Sequence, residues 1–357
     1  MRFNTRLELR DSMMAKRQFT PPLASGDEQL WTRILARYRM PNHARSVFEI
    51  VVTLVPFTAL WMSAWAAVHF GHWELSLLLA VPTAGFLMRL FMIQHDCGHG
   101  SFFRYRLAND LVGRFLSVLT LTPYDDWRHS HAIHHATSGH LGRRGIGDIE
   151  TLTVCEYQTR AFWGRFRYRL YRHPLVMFGV GPAYLFGLRQ RLPISSIRGS
   201  SWTAWVSVMA TNLAIVAAIT TLAWLIGIGS FLLVHLPIVM LAGAAGVWLF
   251  YVQHQFEETF WAQARYWNFH EAAFRGSSHY DLPTILRWFT ANIGVHHVHH
   301  LCSRIPYYRL PQTLRDNPDL HGASRLTLFQ SFRCVRLALW DESRNRLVSF
   351  RDARAHG

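Results

Sequence analysis

From Ser201 to Phe256 the chain carries no Asp, Glu, Lys or Arg. A helix needs about 20 mostly apolar residues to cross the roughly 30 Å hydrocarbon layer of a bilayer. The segment is long enough to cross twice, and Gly227-Ile228-Gly229-Ser230 supplies a break between two spans. Ile50 to Trp73 is likewise free of those four residue types. After a turn around Gly71-His72-Trp73-Glu74, Leu75 to Gln94 makes another span with one charge, Arg89, near its end. Arg89 is expected to snorkel to the interface. Leu175 to Leu188 is apolar but short, and Gly179, Gly181, Pro182 and Gly187 interrupt it. It is expected to be interfacial or re-entrant.

The charges lie between these blocks. The formal net charge is +15, and of the 37 basic residues all but Lys16 are Arg. In a soluble protein this balance would raise nucleic acid as a partner. Here the Arg residues flank apolar blocks, which fits lipid head groups and membrane topology instead, so no nucleic acid is expected. Neither turn between paired spans contains Lys or Arg, whereas the N-terminus, the middle region and the tail are rich in Arg. The positive-inside rule then puts both termini and the middle region in the cytoplasm. The expected fold is an all-α integral membrane protein, with four transmembrane helices in two hairpins under a cytosolic helical cap. Its expected divisions are an N-terminal segment 1–45, hairpin one 46–94, cap 95–200, hairpin two 201–254, and cap plus tail 255–357.

Residues 1–45 have no apolar core followed by a small-residue cleavage site, which argues against a removed signal peptide. Within them, Glu28 to Arg39 spaces Leu30, Trp31, Ile34 and Leu35 along one helical face, as either a membrane-surface helix or a solvated helix packed on the chain's own cytosolic part does. The scattered Cys97, Cys155, Cys302 and Cys334 form no CxxC pair, so neither a disulfide framework nor a thiolate zinc site is expected.

The 21 His are the second anomaly. They concentrate in His95-Asp96-Cys97-Gly98-His99, His131-Ala132-Ile133-His134-His135 and His296-His297-Val298-His299-His300. Residues three and four apart share a helix face, so each cluster can aim two or three imidazoles at one point. All three clusters fall on one side of the expected topology. Neutral imidazole suits zinc, copper, nickel or iron. His95, His99, His131, His134, His135, His296, His299 and His300 are too many for one ion and suit a pair. His254, ending the fourth span, is a further candidate. His129, His140, His279 and His297 are expected to be neighbours rather than ligands, and His69, His72, His235 and His270 to be isolated polar positions. Asp96, Asp148, Glu257 and Glu258 are candidates for hydrogen bonds that orient imidazoles, with helix caps or surface roles as the alternative.

The set HDCGH, HAIHH and HHVHH resembles the three histidine boxes of the membrane fatty acid desaturase superfamily. The likeness extends to HDCGHGSFF from His95, HHATSGHLGRRGIGDIETLTVCEY from His134, FYVQHQFE from Phe250 and NIGVHHVHHLCSRIPYYRL from Asn292, and covers roughly residues 45–312. The resemblance implies a non-haem di-iron centre of two Fe ions, with O2 as co-substrate and a fatty acyl chain as substrate. Carried over by position, the implied ligands are His95, His99, His131, His134, His135, His254, His296, His299 and His300. No catalytic residue beyond these ligands is implied. The flanking motifs look most like the bacterial acyl-lipid omega-6 or Δ12 type, which implies a membrane-lipid acyl chain, a bacterial inner membrane and a cytoplasmic active site. Where animal acyl-CoA members carry Asn one turn before the fourth-span His, this chain has Phe250.

Electrons are expected from an external donor, because no flavin, Rossmann or haem-binding motif is present and the tail after His300 is short and Arg-rich. A small acidic, ferredoxin-like donor suits a basic face, with Arg165, Arg167 and Arg169 as its expected contacts. A hydroxylase or ketolase of the same superfamily, acting on alkanes or carotenoids, is the first alternative, and the extended matches favour the desaturase. A His-rich metal transporter would carry ionisable side chains within its spans, yet residues 201–253 hold only His235. A zinc-dependent membrane hydrolase would need an HExxH motif, and the chain has none.

Overall fold

The structure, a computed structural model, describes residues 25–193 and 202–354. The signal-peptide expectation therefore falls mainly outside the described residues. Helix α1 (Ser25–Ala36) leads into α2 (His43–His69), and a short turn with Gly71 at φ +85° joins α2 to α3 (Trp73–His99). The middle region carries α4 (Arg106–Leu119), α5 (Tyr124–Thr137), α6 (Val154–Thr159), α7 (Phe162–Tyr171), a π-helical turn Val176–Val180 and α8 (Gly181–Gly187). Helices α9 (Trp202–Ile226) and α10 (Ile228–His254) follow, separated by Gly227 at φ +83°. Then come α11 (Phe269–Arg275), α12 (Thr284–Phe289), α13 (His296–Leu301), α14 (Leu310–Asp316) and α15 (Leu328–Cys334).

Helices α2, α3, α9 and α10 are each long and apolar enough to cross a membrane. Helix α3 outruns its expected span Leu75–Gln94, continuing through His95 and His99, while α10 ends at His254, inside its charge-free run. The polar last turns stay helical because the cap buries them, with Gln94, His95, Asp96, Gln253 and His254 all buried. Asn42 opens α2 by accepting from the Arg45 backbone N–H at 3.0 Å. Gly100 closes α3 in the left-handed region at φ +66°.

Arg89 does not snorkel. It is fully buried, ion-paired to Glu49 of α2, and its Nε donates to Thr53 Oγ1 at 3.2 Å. Glu49 also takes Arg45 at 2.7 Å and the Tyr307 hydroxyl at 3.0 Å. Glu49 sits one residue before the uncharged run, so a count of charges within the span leaves out the partner that makes a buried Arg tolerable.

The described residues are mostly helical, but short strands correct the all-helical expectation. Outside the four long helices lies a three-stranded sheet in the order β1-β4-β5, from β1 (Leu152–Thr153), β4 (Leu337–Asp341) and β5 (Arg346–Ser349). A two-stranded parallel sheet pairs β2 (His279–Asp281) with β3 (Arg325–Thr327). These strands are too short to show an alternating pattern in the sequence. Residues after 255 also pack against the long helices. Phe289 of α12 packs edge-on against Phe86 at 5.1 Å, and Phe332 of α15 meets Trp248 of α10 at 5.4 Å. The largest core cluster joins α2, α3 and α10 to the segment that carries the third histidine cluster, through Leu90, Ile93, Ile238, Val298 and Ile305.

Candidate metal centre

The three histidine clusters meet at the cap-side ends of α3 and α10. Each cluster was expected to aim at one point, and the structure divides two of them between two points. His95 and His99 of α3, His131 and His135 of α5, and His299 of α13 bring one ring nitrogen each within 4.8 Å of one another. His134, His254 and His300 form a second such group. His296 joins this second group, its Nε2 3.0 Å from His254 Nε2 and its ring 4.6 Å from His300. The cause is helix geometry. Positions three and four apart lie on neighbouring rather than identical lines. A helix wedged between two points therefore sends His131 and His135 one way and His134 the other.

These rings are arranged for metal. Nε2 atoms face each other at 3.0 Å in His131–His95, 3.2 Å in His135–His131, 3.1 Å in His299–His135 and 3.2 Å in His134–His254. Two nitrogens bound at about 2.0–2.1 Å to one ion lie roughly 3.0–3.4 Å apart. Buried polar atoms are ordinarily paired, yet within the groups His99 Nε2 and both ring nitrogens of His300 have no hydrogen-bond partner, and the same holds for both of His297 behind them. Burial, reinforced by neighbouring imidazoles, holds His131, His135, His296, His299 and His300 well below the ordinary histidine range. They are neutral, which is the form that binds a metal ion. An all-nitrogen set of this kind fits iron among the imidazole-binding metals.

Neighbouring groups fix the rings. His254 Nδ1 donates to the Gly276 carbonyl at 3.0 Å, which leaves Nε2 as the lone-pair atom. His134 Nδ1 lies 2.5 Å from Asp148 Oδ1, and His95 Nδ1 lies 3.3 Å from Asp96 Oδ1. Asp96 is itself held by the Tyr307 backbone N–H at 2.7 Å. Two of the four carboxylates singled out in the sequence thus sit behind ligands. Glu257 instead pairs with Arg346 at 2.9 Å on the surface, and Glu258 is exposed. Arg346 satisfies Glu257 without the histidines. Of the other histidines, His140 accepts from the Gly142 backbone and His235 from Trp61, while His297 lies behind the groups, beside Phe274 and His279.

Sequence reasoning missed five contributors. Trp127 stacks on His131 at 4.6 Å and 17°, and it stands four residues earlier on the same helix, so the spacing held the signal. Gly98 makes room for that indole, because a Cβ there would fall 2.8 Å from its edge. Gly294 lets the third cluster approach β2, since a Cβ there would lie 2.2 Å from the Tyr280 carbonyl. Glu49 and the Gly276 carbonyl are contacts only the fold creates.

A cavity of about 1430 Å³ opens from the first group. Drug-sized ligand pockets run roughly 300–1,000 Å³, so this one has room for a long chain. His95, His99, His131 and His296 line its inner end, and Leu87, Phe91, Met177, Val239, Leu249 and Phe250 are among its apolar walls. The Leu175–Leu188 segment supplies one wall through the π-helical turn and α8.

The sequence model of the fatty acid desaturase family matches residues 72–331. A fatty acid desaturase of Bacillus subtilis is 42% identical over 329 residues, covering 92% of each chain. An acyl-lipid omega-3 desaturase of Arabidopsis thaliana, named for cytochrome b5, is 29% identical and covers 81% of this chain and 74% of its own. A Nostoc sn-1 acyl-lipid omega-3 desaturase, named for ferredoxin, is 26% identical, with 81% and 79% covered.

Proposed function

Because this chain belongs to the fatty acid desaturase family, an oxygen-dependent group of oxidoreductases, we propose that it introduces a cis double bond into a fatty acyl chain esterified to a membrane lipid, at a Δ12, omega-6-like position. The observation that carries this reading is the junction of the histidine groups with an apolar cavity. The ligands are His95, His99, His131, His135 and His299 for one iron, and His134, His254, His296 and His300 for the other. The pair of irons supplies, when bound, reductive activation of O2, so that one O2, two external electrons, two protons and two methylene hydrogens leave as two waters.

The protein's own part is placement. Leu87, Phe91, Val239 and Leu249 hold the chain in a dry channel. Asp96, Asp148 and the Gly276 carbonyl keep His95, His134 and His254 turned to the metal. The membrane arrangement is two hairpins, 46–94 and 201–254, with 1–45, 95–200 and 255–357 on the cytoplasmic side of a bacterial inner membrane. A ferredoxin-like donor delivers the electrons. The relative named for ferredoxin supports that choice, and the one named for cytochrome b5 is the alternative.

The omega-3 names of two relatives favour a second reading of position, closer to the methyl end. Expression in a host without polyunsaturated lipids, followed by mass spectrometry of its fatty acids, decides. A Δ12 diene is expected. A triene made only from a supplied diene moves the enzyme to omega-3, a hydroxy or keto product moves it to the hydroxylase branch, and an unchanged profile with an active donor contradicts the reading. His299→Ala is expected to abolish product while the protein still inserts.

A further inference from the structure

Three short helices outside the four spans carry one pattern. Helix α7 exposes Trp163 and Phe166, α12 exposes Ile285 and Leu286, and α15 exposes Phe329 and Phe332, with Phe329 81% exposed. None of the three contains Asp or Glu, and each presents exposed Arg beside its apolar tips, namely Arg165 and Arg167, Arg287, and Arg333. A water-soluble surface seldom joins large exposed apolar groups to one sign of charge. A helix lying in an anionic lipid interface does so as a rule.

Their depth agrees. Helices of 27 residues such as α3 and α10 are about 40 Å long. A hydrocarbon layer of roughly 30 Å leaves about 10 Å at the histidine ends if it begins at the opposite ends. That places the boundary near Met92 on α3 and Val247 on α10. A Cβ on Gly85 would lie 2.8 Å from the Phe289 ring of α12, so that ring reaches α3 below that boundary. Phe332 of α15 packs on Trp248, at the boundary itself. Helix α7 runs on to the π-helical turn, whose Phe178 packs on the same Trp248 at 5.0 Å. The three helices thus continue the lipid-facing surface of the spans.

We propose that α7, α12 and α15 form a collar that inserts into the head-group layer of an anionic bilayer and seats the cap on it. The arginines Arg165 and Arg167, which the sequence suggested for an acidic electron donor, belong to this collar. Arg169 is engaged separately, its Nε donating to the Tyr157 hydroxyl at 2.5 Å. The proposal rests on the membrane reading and not on the reaction, so the product assay stands whatever the collar does.

The test uses the full chain in nanodiscs, with exposed Cys155 replaced by Ser. Spin labels go on Trp163→Cys, Ile285→Cys and Phe329→Cys, and on Ser343→Cys in the exposed polar turn between β4 and β5 as the aqueous reference. Power saturation reads access to O2, which partitions into lipid, and to a nickel chelate, which stays in water. Labels at 163, 285 and 329 are expected to favour O2, with 285 deepest, and the label at 343 to favour nickel. Nickel-favouring values at all four positions would overturn the collar. In a second arm, a bimane fluorophore on Phe329→Cys is quenched by brominated phosphatidylglycerol or brominated phosphatidylcholine at equal content. Stronger quenching by the glycerol lipid is expected, and equal quenching would overturn the anionic preference. Protection of the label at 163 by added ferredoxin, with no lipid contact there, would return α7 to the donor.

Discussion

The two histidine groups are built from the same helices yet held differently. In the first group His95, His99 and His131 line the cavity, as His296 of the second does, and His99, His131 and His135 are only half-buried. The group of His134, His254, His296 and His300 is buried throughout. Behind the second group stand close hydrogen bonds, from His134 Nδ1 to Asp148 and from His254 Nδ1 to the Gly276 carbonyl. Behind the first stand a longer contact from Asp96 to His95 and the Trp127 stack on His131. One group is pinned by polar contacts, and the other is shaped by packing at the place where a chain must pass. The first is expected to be the more adjustable of the two.

The largest effect that probes this contrast is acid. The imidazoles of His131 and His135, half-buried, and of His296, His299 and His300, buried, stay neutral when folded, whereas in the unfolded chain they take up protons near the ordinary value of 6.5. The unfolded state then binds more protons, so stability rises with pH and falls as pH drops below 6.5. Each such histidine contributes about 1.4 kcal/mol per pH unit. Thermal melts of metal-depleted protein are expected to fall steeply below that pH, and iron-loaded protein to resist until the ligands are lost. A flat profile would mean that the rings are not buried neutral.

Next in size is the buried ion pair beneath the first group. Glu49→Ala leaves Arg89 without a carboxylate between membrane helices, a loss of about 3–5 kcal/mol. It also frees Tyr307, whose backbone holds Asp96. Melting temperature should drop, and iron should leave the first group before the second. Smaller still is a pair of single changes. Asp148→Ala is expected to weaken metal binding at the second group by roughly 10–100-fold, and Asp96→Ala to do less at the first, because its contact to His95 is longer. Metal titration compares them, and equal losses would erase the distinction between a pinned and a packed group.

Much of this was legible in the sequence, and the gaps have physical causes. The nine histidines and the four apolar helices stand out because both signals are local, a repeat of three and four or a run without charge. The division of α5 and α13 between two points is not local. It depends on where α3 and α10 sit on either side, and spacing alone assigns His134 to the same point as His131 and His135. Arg89 was misread because its partner Glu49 lies 40 residues away, on another helix. The collar helices were invisible as membrane elements because each is far shorter than a span and its apolar tips are few. Gly98 and Gly294 were visible as letters, but their purpose depends on Trp127 and Tyr280 lying against them.

The central claim is that the two groups hold one ion each. Elemental analysis of the purified protein, combined with a protein assay, tests it directly. The account predicts two irons per chain, and about one in both His99→Ala and His300→Ala, since each breaks a different group. A single iron in the unaltered protein, or a loss of both ions together in either variant, would contradict two separately held sites.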